Sequence, residues 1–338
     1  PEEAGLIPGF KPIEGREQQQ LLREALSEMI IAAEERGDKA LIEDLQSLSL
    51  AMGEDAALKF LHKTAAVPDV MAGIPQDRGA VIWARRIAGV GFDEPVDEIL
   101  EAALSDDAID RASIKSIAEM NADWGKGKPD SRGAKRAAAI FDWLTLSPPQ
   151  RAQQFTTLHG FWSNAKGEPM VASRGYTPTD DAYAALALEL YAWSNSLTEQ
   201  VARANYADRL AKALLVGKAF SDQYAKTKHA LGVVDFDDMI RKTADLLSRS
   251  HMADWVRFKL DRQIDHILVD EAQDTNKAQW DIVRALSDDF FSGMGVRPDR
   301  NRTIFSVGDF KQAIYGFQGA TAKRGRILQD GSRMPDQS

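Results

Sequence analysis

The run Ile264-Asp265-His266-Ile267-Leu268-Val269-Asp270-Glu271-Ala272-Gln273-Asp274 decides the fold. A short apolar stretch, Ile267 to Val269, leads straight into two adjacent carboxylates. That pattern predicts a buried parallel strand over 265–269 with Asp270 and Glu271 at its carboxyl end. In open α/β sheets ligands bind beyond that end. A second strand is predicted over 303–307, and it runs into Gly308-Asp309-Phe310-Lys311-Gln312-Ala313-Ile314-Tyr315-Gly316-Phe317-Gln318-Gly319-Ala320. Asp-Glu after a strand is a weak signal by itself, equally compatible with a solvated acidic turn. The second stretch, at this distance behind it, makes the pair specific.

Around that pair the chain is of ordinary soluble composition. It has 338 residues, 44% apolar and 28% charged, with no cysteine and a net charge of −9. Two or three domains fit that length. Without cysteine there is no disulfide and no thiolate metal site, which suits the cytoplasm. No apolar run approaches the ~20 residues of a membrane helix. The acidic balance argues against a generic nucleic-acid coat protein. Charge is uneven, however: residues 1–110 hold 10 Lys/Arg against 23 Asp/Glu, and the remainder is net positive. A DNA-contacting surface is therefore expected beyond residue 110.

Residues 1–14 are punctuated by Pro and Gly and read as irregular. Helical periodicity then begins, with Leu21, Leu22, Ala25, Met29 and Ala32/Ala33 on one face and Gly37 as the stop. Shorter helices are predicted over 39–52, 54–63, 78–88, 95–104, 106–123 and 132–144. From 180 to about 220 runs the longest pattern, in which Tyr183, Leu186, Leu190, Trp193, Leu197, Val201 and Ala204 form one apolar stripe. It reads as the spine of a helical subdomain, with a partner-binding coiled coil as the alternative. Further helices are expected over 235–248, 251–260 and 276–286.

Residues 126–136 gather five cations and one acid in a Gly/Pro-rich loop entering a helix. Lys126, Lys128, Arg132 and Lys135 are the candidates for sequence-independent phosphate contact, set against a plain solvated loop. The Trp and His positions Trp83, Trp124, Trp143, His159 and Trp162 read as core, and no two His stand at ligand spacing. Asp235, in Asp235-Phe236-Asp237-Asp238-Met239-Ile240, can cap the helix that follows it.

The two strand-end stretches resemble motifs II and III of the UvrD/Rep class of superfamily 1 DNA helicases, whose patterns run roughly DExQD and GDxxQSIYxFRGA. Glu3-Ala4-Gly5-Leu6 with Pro8 and Phe10 is similar to the segment after motif Ib in the AddA subunit of bacterial helicase–nucleases, where the inserted 1B subdomain begins. The phrase at Asp235 is similar to the return from that insert. Gln318 stands where many relatives carry Arg, and Gln there is usual in the AddA branch. The resemblance, in order and over nearly the whole chain, is to the AddA-like helicase–nuclease subunits, which are RecB-like helicases of the exonuclease V beta type.

That resemblance implies a mostly α protein: a helical 1B-like subdomain over 1–230, a truncated P-loop NTPase (RecA-like) α/β portion of domain 1A over 231–320 with a small parallel sheet, and a polar tail over 321–338. It implies ATP and Mg²⁺ as cofactors, with Asp270 helping to hold the metal and Glu271 positioning and activating the attacking water. Gln312 would contact the γ-phosphate, and Tyr315 and Phe317 would stack on bases of single-stranded DNA. DNA repair and recombination, single- and double-stranded DNA and an AddB-like partner subunit follow from the same likeness. No G-x-x-x-x-G-K-[ST] occurs. The expectation is thus a fragment that is inactive alone, with its sheet cut open and prone to pair that edge with a second copy or its own tail. The competing readings are a non-catalytic helical module that binds DNA or a partner, and an unrelated Mg²⁺-dependent phosphohydrolase using Asp270 and Glu271.

Overall fold

The computed structural model of the chain describes residues 4–124, 129–164, 166–169, 178, 180–248, 253–291 and 302–308. The first part runs β1 (Lys11–Pro12), α1 (Gly15–Arg36), α2 (Lys39–Met52), α3 (Glu54–Ala65), α4 (Pro68–Ala72), α5 (Arg78–Ile87), α6 (Val96–Ala103), α7 (Arg111–Trp124), α8 (Arg132–Thr145), α9 (Pro148–Gln153) and α10 (Phe155–Gly160). Then come α11 (Tyr183–Leu231), β2 (Val233–Val234), α12 (Phe236–Ser248), α13 (Ala253–Asp261), β3 (His266–Val269), a 3₁₀ turn (Ala272–Asp274), α14 (Lys277–Phe291) and β4 (Thr303–Ser306). Among the described residues the protein is mostly helical, with two parallel two-stranded sheets, β1–β2 and β3–β4.

These residues fall into two compact units. One is drawn from 1–42, 55–68 and 219–338, the other from 43–54 and 69–218. In the second unit α6 to α10 and the first turns of α11 enclose a core centred on Ile114, Ile140, Trp143, Leu158 and Trp162. The α11 stripe faces it: Tyr183, Leu190 and Leu197 are buried, and Leu186, Trp193 and Val201 pack at its margin. Buried Arg151 ties the pieces together. Its guanidinium donates to the carbonyls of Leu104 and Leu144 and pairs with Asp106 at 2.8 Å. Where α7 meets α8, Gly133 is obligatory, because a Cβ there would lie 2.6 Å from the Asn121 carbonyl oxygen and closer still to the Trp124 ring.

Several boundaries differ from the sequence reading, each for a local reason. The helix expected from 106 starts at Arg111, because the Asp110 carboxylate accepts from the Ser113 amide and caps it there. The long helix does not stop near 220 but runs 49 residues to Leu231. Ala207, Ala211, Val216, Phe220 and Tyr224 carry on the buried face, and Gly232, at φ 63°, ends it. Residues 68–72 and 148–160 add short helices that too few turns of periodicity had signalled. Trp143 and Trp162 are core as expected, whereas Trp83 is 37% exposed.

The opening is not irregular throughout. Lys11 and Pro12 pair in parallel with Val233 and Val234. The amides of Lys11 and Ile13 donate to the carbonyls of Gly232 and Val234, so the bonds fall on either side of Pro12, which has no N–H to give. Lys242 on α12 donates to the carbonyls of Ala4 and Gly5 and fixes the preceding turn. In the same unit α1 buries Leu21, Leu22, Ala25, Met29 and Ala33, and Glu28 accepts from Gln223 and Thr227 on α11.

At the end of α11 lies a buried ionic cluster. Lys228 Nζ stands 2.7 Å from Asp235 Oδ2 and 2.6 Å from Asp238 Oδ2, and 4.4 Å from the Tyr224 ring centroid. Asp235 does cap α12, accepting from the Asp238 amide at 2.8 Å, but it also accepts from Tyr224 Oη. Arg241 completes the set on Asp238 Oδ1. Burial and the neighbouring Asp235 raise the Tyr224 pKa. For Asp235 burial is the largest influence and acts to raise the pKa, but Lys228, the Asp238 amide and the Tyr224 hydroxyl together outweigh it and the net shift is downward. A carboxylate held lower in the folded state stabilises above its unfolded pKa, so this contribution is full at neutral pH and is lost as pH falls through the folded value. Removing the cation strands the buried Asp235 carboxylate and leaves Asp238 with Arg241 alone. Lys228→Met should therefore destabilise this unit by about 3–5 kcal/mol, read as a lowered urea midpoint.

Candidate functional site

β3 and β4 pair in register, from His266 opposite Thr303 to Val269 opposite Ser306. At their start buried Arg302 makes a two-pronged ion pair with buried Asp261 at the end of α13, and the His266 ring bonds the Thr303 hydroxyl at 2.9 Å. The entry to β4 is thereby clamped, and the two strand ends arrive level.

The apolar run is less buried than expected. Ile267, Val269 and Ile304 are half-buried on one face, while the cross-strand pair Leu268 and Phe305 on the other is 71% and 62% exposed. Three apolar residues in a row predict cover on both faces, and among the described residues only one face is covered. The expected helices are present as α12, α13 and α14, and they pack against one another.

Beyond the strands the backbone is stapled. The Val307 amide donates to the Val269 carbonyl at 2.8 Å, and the Ala272 amide donates to the Val307 carbonyl at 2.9 Å. Asp270 and Glu271 both lie exposed at this end, where the sequence placed them. Glu271 sits in the left-handed region, at φ 49° and ψ 46°, a conformation that costs a non-glycine residue roughly 1–3 kcal/mol. Its amide donates to Asp270 Oδ1 at 3.0 Å, and its Oε2 accepts from Gln273 Nε2. The turn passes into α14 through a reciprocal cap, in which the Asn276 and Gln279 amides each donate to the other's side chain. Gly308 packs on this turn so closely that a Cβ would fall 2.6 Å from Gln273 Oε1 and 3.1 Å from the Ala272 nitrogen.

Exposed carboxylates at a strand end could take part in holding Mg²⁺, a hard ion that keeps several waters and takes further oxygens from phosphate. Among the described residues no three His, Asp or Glu side chains gather to hold a metal by themselves. Phosphate and water would therefore have to complete the shell.

The other expected site residues fare differently. Gln312, Tyr315, Phe317, Lys126 and Lys128 lie outside the described residues, as does the tail from 321. Arg132 and Lys135 are exposed on the first turn of α8, in the other unit, with Lys135 3.5 Å from Asp130. Arg136, of the same basic run, donates to the Phe161 carbonyl instead of facing solvent freely. Gln273 and Gly308 carry much of the geometry at the Asp-Glu turn, yet the sequence reading gave them no role. A glutamine two positions beyond the second acid was the available signal.

Residues 84–330 match the UvrD/REP helicase N-terminal domain, and the chain belongs to that family. It is 38% identical over 117 residues to the ATP-dependent DNA helicase UvrD1 of Mycobacterium tuberculosis, covering 34% of this chain and 14% of that protein. It is 37% identical over 109 residues to an ATP-dependent helicase/nuclease subunit of Oceanobacillus iheyensis, covering 30% and 8%. Against the corresponding subunit of Lactobacillus delbrueckii subsp. bulgaricus it is 34% identical over 131 residues, covering 38% and 10%. The matched stretch thus spans no more than 14% of the length of these relatives. No helix among the described residues is long and apolar enough to cross a membrane.

If the close approach of Gly308 holds the turn, a single methyl will disturb it. Gly308→Ala should destabilise the strand end by about 1–3 kcal/mol, as overpacking does. Hydrogen exchange at the Ala272 and Val307 amides should then accelerate.

Proposed function

We propose that this chain is part of an AddA-like, ATP-dependent DNA helicase–nuclease subunit that acts in the cytoplasm in double-strand break repair and recombination, alongside an AddB-like partner. In this reading 1–230 is the 1B-like subdomain, 231–320 the motif II–III portion of domain 1A and 321–338 a polar tail. One observation carries it: the exposed Asp270-Glu271 pair sits at the carboxyl end of a parallel strand, stapled to the turn that opens the second motif at Gly308. Family membership and the helicase names of the relatives support the class.

Asp270 would take part in holding Mg²⁺ on the nucleotide phosphates, where the ion's charge offsets that of the reacting oxygens. Glu271 would orient and deprotonate the attacking water. Gln312, whose amide both donates and accepts, would sense the γ-phosphate. Tyr315 and Phe317 would stack on single-stranded bases, at about 1–3 kcal/mol per base without regard to sequence. Lys126, Lys128, Arg132 and Lys135 would meet phosphates.

The chain has no G-x-x-x-x-G-K-[ST] sequence, so we expect no useful ATP turnover from it alone. In a longer protein carrying it together with a phosphate loop, DNA-stimulated ATP hydrolysis should fall roughly 10²–10⁴-fold on Glu271→Gln, the usual worth of a general base. Turnover by the chain alone that needs Mg²⁺ but not DNA would favour a phosphohydrolase instead.

The chain should also bind single-stranded oligonucleotides weakly and without sequence preference, with an affinity that falls steeply with salt. Titration of a labelled oligonucleotide at two salt concentrations measures this. Arg132→Ala with Lys135→Ala should flatten the salt slope by about one to two phosphate contacts.

A further inference from the structure

Among the described polar residues of the turn between β3 and α14, Gln273 is the most buried, at 6% exposure. Asp270 and Glu271, at the strand end just before it, are open to solvent. Gln273 is also the residue on which two constraints meet. Its Nε2 donates to Glu271 Oε2. Its Oε1 lies against Gly308, 2.6 Å from where a Cβ would stand. The backbone around it is fixed, since the Ala272 amide is held by the Val307 carbonyl and the Val307 amide by the Val269 carbonyl.

An exposed glutamate has three rotatable side-chain bonds and visits many directions. Here the backbone of Glu271 is already committed to a left-handed conformation, and the carboxylate is caught at one oxygen by a buried amide. A base that takes a proton from water must be held within hydrogen-bond reach of it, and sites held by a locked supporting residue are more exact than those held by solvent. The amide is two-ended. A shift of the backbone at Gly308 must push the Gln273 oxygen or leave a gap behind it, and the Gln273 nitrogen would carry either change to Glu271.

We propose that Gln273 is a positioning residue: it orients the Glu271 carboxylate and couples that orientation to the backbone at Gly308. This rests on the reading of Glu271 as the residue that activates the attacking water.

The test is steady-state, DNA-stimulated ATP hydrolysis by the full-length protein that carries this chain. Gln273→Met keeps the volume and removes both polar ends. It should lower kcat roughly 10–100-fold, the usual cost of losing a supporting hydrogen bond, and change the KM for ATP by less than about threefold. Gln273→Glu, which sets a second carboxylate against Glu271, should lower kcat at least as far. Combined with Glu271→Gln, Gln273→Met should add little, because the two act as one unit. A Gln273→Met enzyme within about twofold of the parent, in a protein that Glu271→Gln inactivates, overturns the positioning role and leaves the reading of Glu271 standing. Normal turnover by Glu271→Gln overturns both. Faster hydrogen exchange at Ala272 and Val307 in Gln273→Met would mark a structural role instead, and would also overturn the proposal.

Discussion

The unit that carries Asp270 and Glu271 depends on a buried ammonium between two buried carboxylates. Desolvating each of these charges costs several kcal/mol, recovered only if every partner is in place. Lys228, Asp235 and Asp238 meet that condition together, with Tyr224 and Arg241 taking up remaining lone pairs. The cluster stands where the chain re-enters this unit, which it leaves after residue 68 and rejoins at 219. The cluster joins the last turns of α11 to the start of α12 within this unit. Apolar packing is tolerant of small slips, whereas a shared cation is not. The two residue pairs of β1 and β2 and the Lys242 hold on Ala4 and Gly5 gather the chain's opening onto the same place.

Much of this was legible wherever the signal was periodic and long. The buried face of α1 and the stripe of α11 follow directly from apolar spacing, since a helix repeats its address every three or four residues. The strand ends at Asp270 and Gly308 were legible because a short apolar run stops abruptly at chemistry-bearing residues. What the letters could not show is pairing at a distance. β1 is two residues long, has no period and includes a proline. Lys228 reads as one more solvated lysine until its carboxylates arrive. The ion pairs of Arg85 with Asp208 and of Arg302 with Asp261 span 123 and 41 residues, and no local pattern announces either. The boundary errors have the same origin, for Asp110 and Gly232 act on single amides and single dihedral angles.

Burial of the β3–β4 pair was misjudged for a related reason. An apolar run states that a strand can be covered on both faces, and it does not supply the cover. Leu268 and Phe305 face each other across the pair and remain largely open, while the opposite face is half-buried. The same letters would describe an interior strand and this half-covered one.

At the candidate site, groups suited to chemistry and groups that hold the structure are kept apart. Asp270 and Glu271 are exposed and hold almost nothing else in place. The supports are buried or main-chain: Arg302 on Asp261, Val307 between Val269 and Ala272, and the side-chain-free approach of Gly308. Such a division lets the carboxylates stay hydrated and available while their directions are set from behind. It also explains why Glu271 can remain in a left-handed conformation that a free turn would abandon. A strain of roughly 1–3 kcal/mol persists only where neighbouring bonds leave no easier path, and here the bonds on both sides of the residue are already taken.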